Sequence, residues 1–361
     1  MSTCDDLEGN YPKFKTATAI SLCKFETQLL KTVDRVLYFE PHFSAASIFI
    51  NLFHFLILIR KPLRSSSINI IMASVAIFDM CSMLFKIKQT FGPSIEIIFD
   101  PCFQSKWYWN VFLDRILIML KDHSQRSSTW LLFSIALIRT LVIRNPMKTE
   151  YEKLTKPPTS FFAIIGISLL FFPISISTFL EYDIFSEKYK SACNPKGVLS
   201  FYLYISKLFE RNNGVILKYV TLGNAMVSNI IPCFLFPVVT FLLVKELWKN
   251  ENNRWRLLSS KKVNDSIKST QLVLLLTCMF FIAQFPIGIA SGVSYFFDKN
   301  PGITKIFHEI MFLFSIMLVL NTISHFFICI FISSQYRAEV KKVIFCGRRS
   351  IQVQQQITVS R

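Results

Sequence analysis

Seven apolar stretches, at residues 43–59, 68–85, 111–143, 161–180, 219–244, 271–293 and 309–332, constrain this chain more than any other feature. A helix needs about 20 predominantly apolar residues to cross a bilayer, and these stretches are bounded by charge or proline. With 52% of its 361 residues hydrophobic, the chain carries more apolar material than one water-soluble core buries. The expected fold class is all-α, a bundle of seven transmembrane helices. The third stretch is the irregular one, because Asp114, Arg115, Lys121, Asp122, His123, Gln125 and Arg126 interrupt its first half. Charges in hydrocarbon cost several kcal/mol, so that half must face protein or water.

The net charge of +17 would suit a nucleic-acid binder, but its distribution argues against one. Arg60, Lys61 and Arg64 follow the first stretch, and Arg144, Lys148, Lys153 and Lys156 follow the third. Lys245, Lys249, Arg254, Arg256, Lys261, Lys262 and Lys268 join the fifth to the sixth, and Arg337, Lys341, Lys342, Arg348 and Arg349 follow the seventh. With seven spans these groups share one side, and positive flanks stay cytoplasmic. The expected layout is an extracellular tail over 1–40, flexible and with little core, a membrane domain over 41–333, and an amphipathic helix with a cytoplasmic tail over 334–361. The opening MSTCDDLEGN has no apolar core of a cleavable signal, so the first span is expected to direct insertion into the plasma membrane. The one glycosylation sequon, Asn264 to Ser266, falls on the cytoplasmic side.

Four of the nine cysteines, Cys81, Cys233, Cys278 and Cys329, lie within spans as small apolar residues. Cys102 and Cys193 precede the third and fifth spans on the oxidising side and are expected to form a disulfide; the alternative is two unpaired loop thiols. Cys4 and Cys23 offer a second outside pair.

Enzyme chemistry finds no footing. The five histidines show no HExxH spacing, and neither a GxSxG elbow nor a phosphate loop is present. Polar residues inside spans are functional candidates instead. Asn51, Asp79, Ser128 and Asn321 lie near mid-depth and could hydrogen-bond across helices or hold a small cation such as Na+ beside Asp79; the alternative is helix glue, about 1 kcal/mol per bond. Pro232 and Pro286 free backbone carbonyls in the fifth and sixth helices, as hinges or static bends. After the last span, Tyr336, Val340, Val343 and Ile344 recur at helical spacing among charges, the pattern of an amphipathic helix on membrane lipid. Cys346 at its end is a palmitoylation candidate.

Together these residues resemble the rhodopsin-like G-protein-coupled receptors. Asn51, the acid of MASVAIFDM, Arg139 of IRT with Pro146 beyond it, Pro232 and Pro286 occupy that family's marked positions. NLFHFLILIRK, SSTWLLFSIALIRTLVIRNPM, NIIPC, AQFPIG and LNTISHFFICIFISSQYR are similar, more narrowly, to the nematode serpentine receptor class W, chemoreceptors akin to FMRFamide-type peptide receptors. The resemblance implies an extracellular ligand, peptide or chemosensory cue, and a heterotrimeric G protein as partners, with Arg139 as a cationic switch. Three departures mark the chain: Ile138 replaces the acid beside the arginine, Gln284 replaces a tryptophan, and His325, Phe326 and Cys329 replace the Asn, Pro and Tyr of the seventh helix. A seven-span transporter or ligand-gated channel is the other reading, but inverted repeats are not evident.

A ligand cavity is expected from Lys86 and Gln89 on the second helix, Lys121, Asp122 and Gln125 on the third, Asn224 and Ser228 on the fifth, and Ser291 and Tyr295 on the sixth. Asp122 and Arg126 are four residues apart and spaced to pair along one helix face. Lys121 and Lys86 then remain as free cations, which favours a ligand with an acidic group; the alternative is that both lysines reach up to the outer surface and that apolar and amide contacts dominate.

Overall fold

The computed structural model describes residues 7–99, 107–145, 148–191, 194–254, 260–296 and 300–345. Among them, seven helical segments are long and apolar enough to cross a membrane. In chain order the elements are α1 (Leu7–Asn10), α2 (Thr16–Leu58), α3 (Ser67–Phe99), α4 (Tyr108–Arg144), α5 (Thr149–Lys153) and α6 (Pro157–Glu181). There follow β1 (Tyr182–Ser191), β2 (Asn194–Ile205), α7 (Lys207–Ala225), a π-helical turn (Met226–Ile230), α8 (Ile231–Arg254), α9 (Ser260–Phe296), α10 (Pro301–Ile332) and α11 (Ser334–Ile344). The fifth span runs Gly214–Glu246, through α7, the π turn and α8. The bundle is the expected all-α class, and α11 is the short helix expected after the last span.

The extramembrane helix starts are set by local chemistry. Pro157 and Pro301 open α6 and α10, where a missing N–H is harmless. Ser333 caps α11, its hydroxyl accepting from the Tyr336 amide at 3.2 Å. The inner half of the bundle holds one apolar core, with Ile57, Ile71, Leu131, Ile135, Phe236 and Phe280 among its fully enclosed side chains.

The flexible tail expected over 1–40 is corrected by α2, which begins at Thr16 and runs unbroken for 43 residues. Its first half packs on the outer end of α10. Ala19, Cys23, Leu29 and Val33, with Leu22 and Leu37, meet Ile303, Ile306, Ile310 and Leu313, and Tyr11 folds into the same cluster. The spacing of these residues is helical, so burial against α10 repays the ordering of a segment whose charges suggested a loose chain. Tyr11 donates to Glu26 at 2.7 Å, and burial, then this bond, raises its hydroxyl pKa. Cys23 is disulfide-bonded to a partner outside the described residues. Cys102, Cys193, Cys346 and Pro146 also lie outside them.

Between α6 and α7 the chain forms an antiparallel hairpin, Tyr182 pairing with Ile205 and Ser191 with Asn194. It rests on α4 through Arg115, which reaches Asp183 at 3.8 Å and donates to the Phe179 carbonyl at 2.8 Å. Phe201 packs edge-on to Tyr108.

Candidate functional site: two joined cavities and a polar core

Two cavities lie one below the other between α4 and the fifth span. The outer, about 430 Å³, is lined by Phe85, Lys121, Asp122, Thr178, Glu181, Tyr182, Thr221 and Asn224 among others. The inner, about 190 Å³, is lined by Asp122, Gln125, Arg126, Asn224, Ser228, Asn229, Gln284 and Ser291 among others. Asp122, Thr221 and Asn224 belong to both and form the neck between them. Of the nine expected ligand residues, Lys121, Asp122, Gln125, Asn224, Ser228 and Ser291 therefore line the joined space.

The neck is ordered by one asparagine. Arg126, fully buried on α4, donates to Asn224 Oδ1 at 2.5 Å, to Ser228 at 3.1 Å and to Ser175 at 3.2 Å. Asn224 also hydrogen-bonds Asp122, as does Thr178. Its amide thus spans carboxylate and guanidinium, each end matched to the partner it prefers. The pairing expected from the spacing of Asp122 and Arg126 is electrostatic, with Asn224 as the bonded bridge between them.

The π turn delivers Ser228 and Asn229 to this space. Pro232 supplies no N–H to the carbonyl four residues back, so the helical ladder is interrupted there. Trp130 Nε1 donates to the Val227 carbonyl at 3.1 Å, satisfying a group within the turn. Gly288 lets α9 approach closely, since a Cβ there would stand 3.2 Å from Asn229 Cβ.

The two expected free cations fare differently. Lys86 is not free: its Nζ lies 2.6 Å from Glu40 Oε2, and Ser315 donates to Glu40 Oε1 at 2.9 Å, so one buried carboxylate ties α2, α3 and α10. Lys121 has no ion pair among the described residues, but its cavity also holds Asp122 and Glu181. Tyr182 hydrogen-bonds Glu181, and burial together with that carboxylate pushes the phenol up to about 12. This wall does not favour an acidic ligand, and that expectation is withdrawn. Gln89 lines a separate cavity of about 320 Å³, where Lys88 bridges Asp114 at 2.6 Å and the Asn110 carbonyl. The Tyr295 side chain lies outside the described residues.

Below the two cavities sits Asp79, buried. Ser128 donates to its Oδ1 at 2.7 Å, and His325 Nδ1 lies 3.1 Å from its Oδ2. A space of about 20 Å³ borders Asp79, Ser128, Gln284 and Asn321, and the two amide oxygens have no hydrogen-bond partner. Gln125, Thr129, Gln284 and Leu318 line both this space and the inner cavity, forming the partition between them. Asn51 serves its own helix, donating to the Ser47 carbonyl at 3.0 Å and to Ser47 Oγ, which in turn contacts Thr322 at 2.7 Å. Pro286 lies within α9, two residues beyond Gln284. Arg139 is half-buried near the inner end of α4; its Nε has no hydrogen-bond partner, and it makes no ion pair among the described residues.

Sequence reasoning missed Glu40, His54 and Asn229. Opposite charges at matching depths, Glu40 before the first apolar run and Lys86 after the second, were the available signal for the first. His54 was visible as an imidazole inside a span.

A bundle of seven spans with an internal polar column is found in more than one class of membrane protein, and the sequence comparison decides between them. The family described as serpentine type 7TM GPCR chemoreceptor Srw matches residues 38–347. The chain belongs to this family. It is a G-protein-coupled receptor of the multi-pass serpentine type, and not an enzyme. The G-protein coupled receptor dmsr-1 of Caenorhabditis elegans is 22% identical to the receptor over 240 residues, 62% of this chain and 46% of that protein, so the chain spans about half the length of the curated relative it matches.

Proposed function

We propose that the receptor binds an extracellular ligand in the joined cavities and, on binding, activates a heterotrimeric G protein at the inner end of the bundle. The observation that carries this reading is the stacked arrangement of the cavities. Their combined volume falls within the range of small-molecule and peptide-end sites, roughly 300–1,000 Å³. Their floor is shared with the Asp79 space, so a ligand that reaches Gln284 alters the polar core directly. A neuropeptide or another chemosensory molecule with uncharged hydrogen-bonding groups suits the lining, because Lys121 and Arg126 are offset by Asp122 and Glu181.

In this reading the amino terminus is extracellular and the receptor resides in the plasma membrane. Arg139 is the contact for the G protein, with Pro146 opening the loop beyond it; Pro232 and Pro286 set the bends about which the fifth and sixth spans move. The oxygen-rich set of Asp79, Ser128, Asn321 and Gln284 suits a sodium ion, which would supply positive charge to the buried carboxylate. Cys102 and Cys193 would staple the hairpin region, while α11 and a lipidated Cys346 would lie on membrane lipid.

A reporter cell carrying the receptor and a promiscuous Gα, screened with a peptide library and with small odorants, tests the proposal. Reporter activation that needs both ligand and Gα is expected. Ligand-evoked current or uptake without Gα would instead establish a channel or transporter.

A further inference from the structure

Two buried imidazoles lie between Asp79 and the cytoplasmic helix. His325 on α10 points Nδ1 at Asp79, as described, and is 1% exposed. His54 on α2 has no exposed surface, and its Nδ1 lies 2.7 Å from the Tyr336 hydroxyl of α11. In each ring the other nitrogen, Nε2, is buried without a hydrogen-bond partner. Phe326, the residue that follows His325, packs edge-on to both His54, at 6.0 Å between ring centroids, and Tyr336, which brings the two imidazoles into one cluster. Natural proteins leave few buried polar atoms unpaired, and each one calls for an explanation. Two such atoms on neighbouring rings share a single one.

We propose that His54 and His325 are joined, Nε2 to Nε2, through one buried water, making a single hydrogen-bonded chain from Asp79 to Tyr336. The donor directions are fixed from both ends. Asp79 Oδ1 accepts from Ser128 and Oδ2 faces His325 Nδ1, so in the proposed chain His325 is neutral with its proton on Nδ1, and its Nε2 accepts. At the other end the Tyr336 hydroxyl has no acceptor among the described residues besides His54 Nδ1. Tyr336 therefore donates, and His54 carries its proton on Nε2. The water accepts from His54 Nε2 and donates to His325 Nε2, so each link has one donor and one acceptor. The two histidines thus hold opposite neutral tautomers.

The chain crosses five helices: Ser128 of α4 and His325 of α10 on Asp79 of α3, then His54 of α2 and Tyr336 of α11. Its consequence is positional. Glu339, also buried, holds Arg60 at 3.7 Å just beyond α2, so α11 is fastened to the α2 end by two polar contacts made three residues apart on α11. His54 and Tyr336 act as positioning residues through which a change at Asp79 reaches the first turn of α11. This linkage belongs to the bundle and holds whichever ligand the cavities take.

The test is nitrogen-15 NMR of the full-length receptor, labelled at histidine and held in phospholipid nanodiscs, with signals assigned by their loss in His54→Gln and His325→Gln. The expected result is a neutral His54 protonated at Nε2 and a neutral His325 protonated at Nδ1. Tyr336→Phe, which removes one oxygen and keeps the ring, should shift the signals of both histidines. A proton on His325 Nε2, the same tautomer in both rings, or a Tyr336→Phe response confined to His54 would each overturn the chain. Thermal melting gives an independent check should the glutamine variants fail to fold. Tyr336→Phe combined with His325→Asn should melt no lower than the weaker single variant, because either change already breaks the chain; summed losses would reject it.

Discussion

The ring of Tyr11 occupies the place where a side chain at Gly302 would project. A Cβ added there would stand 2.6 Å from Tyr11 Cε1. Tyr11 and Gly302 thereby form a clasp that holds the amino-terminal segment against the outer end of α10. Gly302→Ala should displace the ring, destabilise the segment by about 1–3 kcal/mol and speed amide exchange across residues 7–37. Exchange as slow as in the parent would show that Tyr11 is not what holds it.

Glu40 and Lys86 predict a reciprocal pair of effects. Lys86→Met leaves a buried carboxylate without its cation and should lower thermal stability by about 1–3 kcal/mol. Adding Glu40→Leu should restore much of the loss, since replacing both charges removes the unpaired one. Losses that simply add would reject the pairing.

At the neck, Asn224→Ala removes the link between Asp122 and Arg126. A loss of about 2 kcal/mol and a fall in surface level are expected, larger than for Ser228→Ala, which gives up a single hydroxyl. Surface immunostaining with melting of the purified receptor decides this; equal effects would remove Asn224 from its bridging place.

Arg139→Ala should abolish G-protein activation in membranes while preserving surface level. Ile138→Asp is a harsher change than adjacency to Arg139 suggests, because Ile138 belongs to the inner apolar core. A carboxylate there is tolerated only if it pairs with Arg139, so the variant should reach the surface with lowered basal nucleotide exchange. Full basal exchange would argue against the arginine as the switch.

An epitope placed at residue 1 should stain intact cells, as the side-specific basic flanks require. Staining only after permeabilisation would invert the topology.

The seven spans were legible because hydrophobic length is a local property; six of the predicted ranges fall within the observed helices, and the first, 43–59, ends one residue past Leu58. The clustering of Asp122, Gln125, Asn224 and Ser228 followed from helical spacing counted along single elements. What escaped were contacts between distant segments. The stripe from Ala19 to Leu37 has helical spacing, but its partner begins at Ile303, and mixed surface charge hid the pattern. Lys86 looked free because Glu40 lay in a stretch read as tail. The π turn had only Pro232 to announce it, and a proline marks equally a kink, a bend or a register shift.

The unbroken length of α2 has a mechanical consequence. At 1.5 Å per residue the helix is roughly 65 Å long, about twice the hydrocarbon thickness, and Tyr38 and Phe39 near its middle are both exposed. Pro41, two residues beyond Phe39, is the proline within the helix and its natural pivot. The part above it is a lever arm of roughly 37 Å. Because Tyr11 grips Gly302, sideways force on this arm is shared with α10, the helix that carries His325.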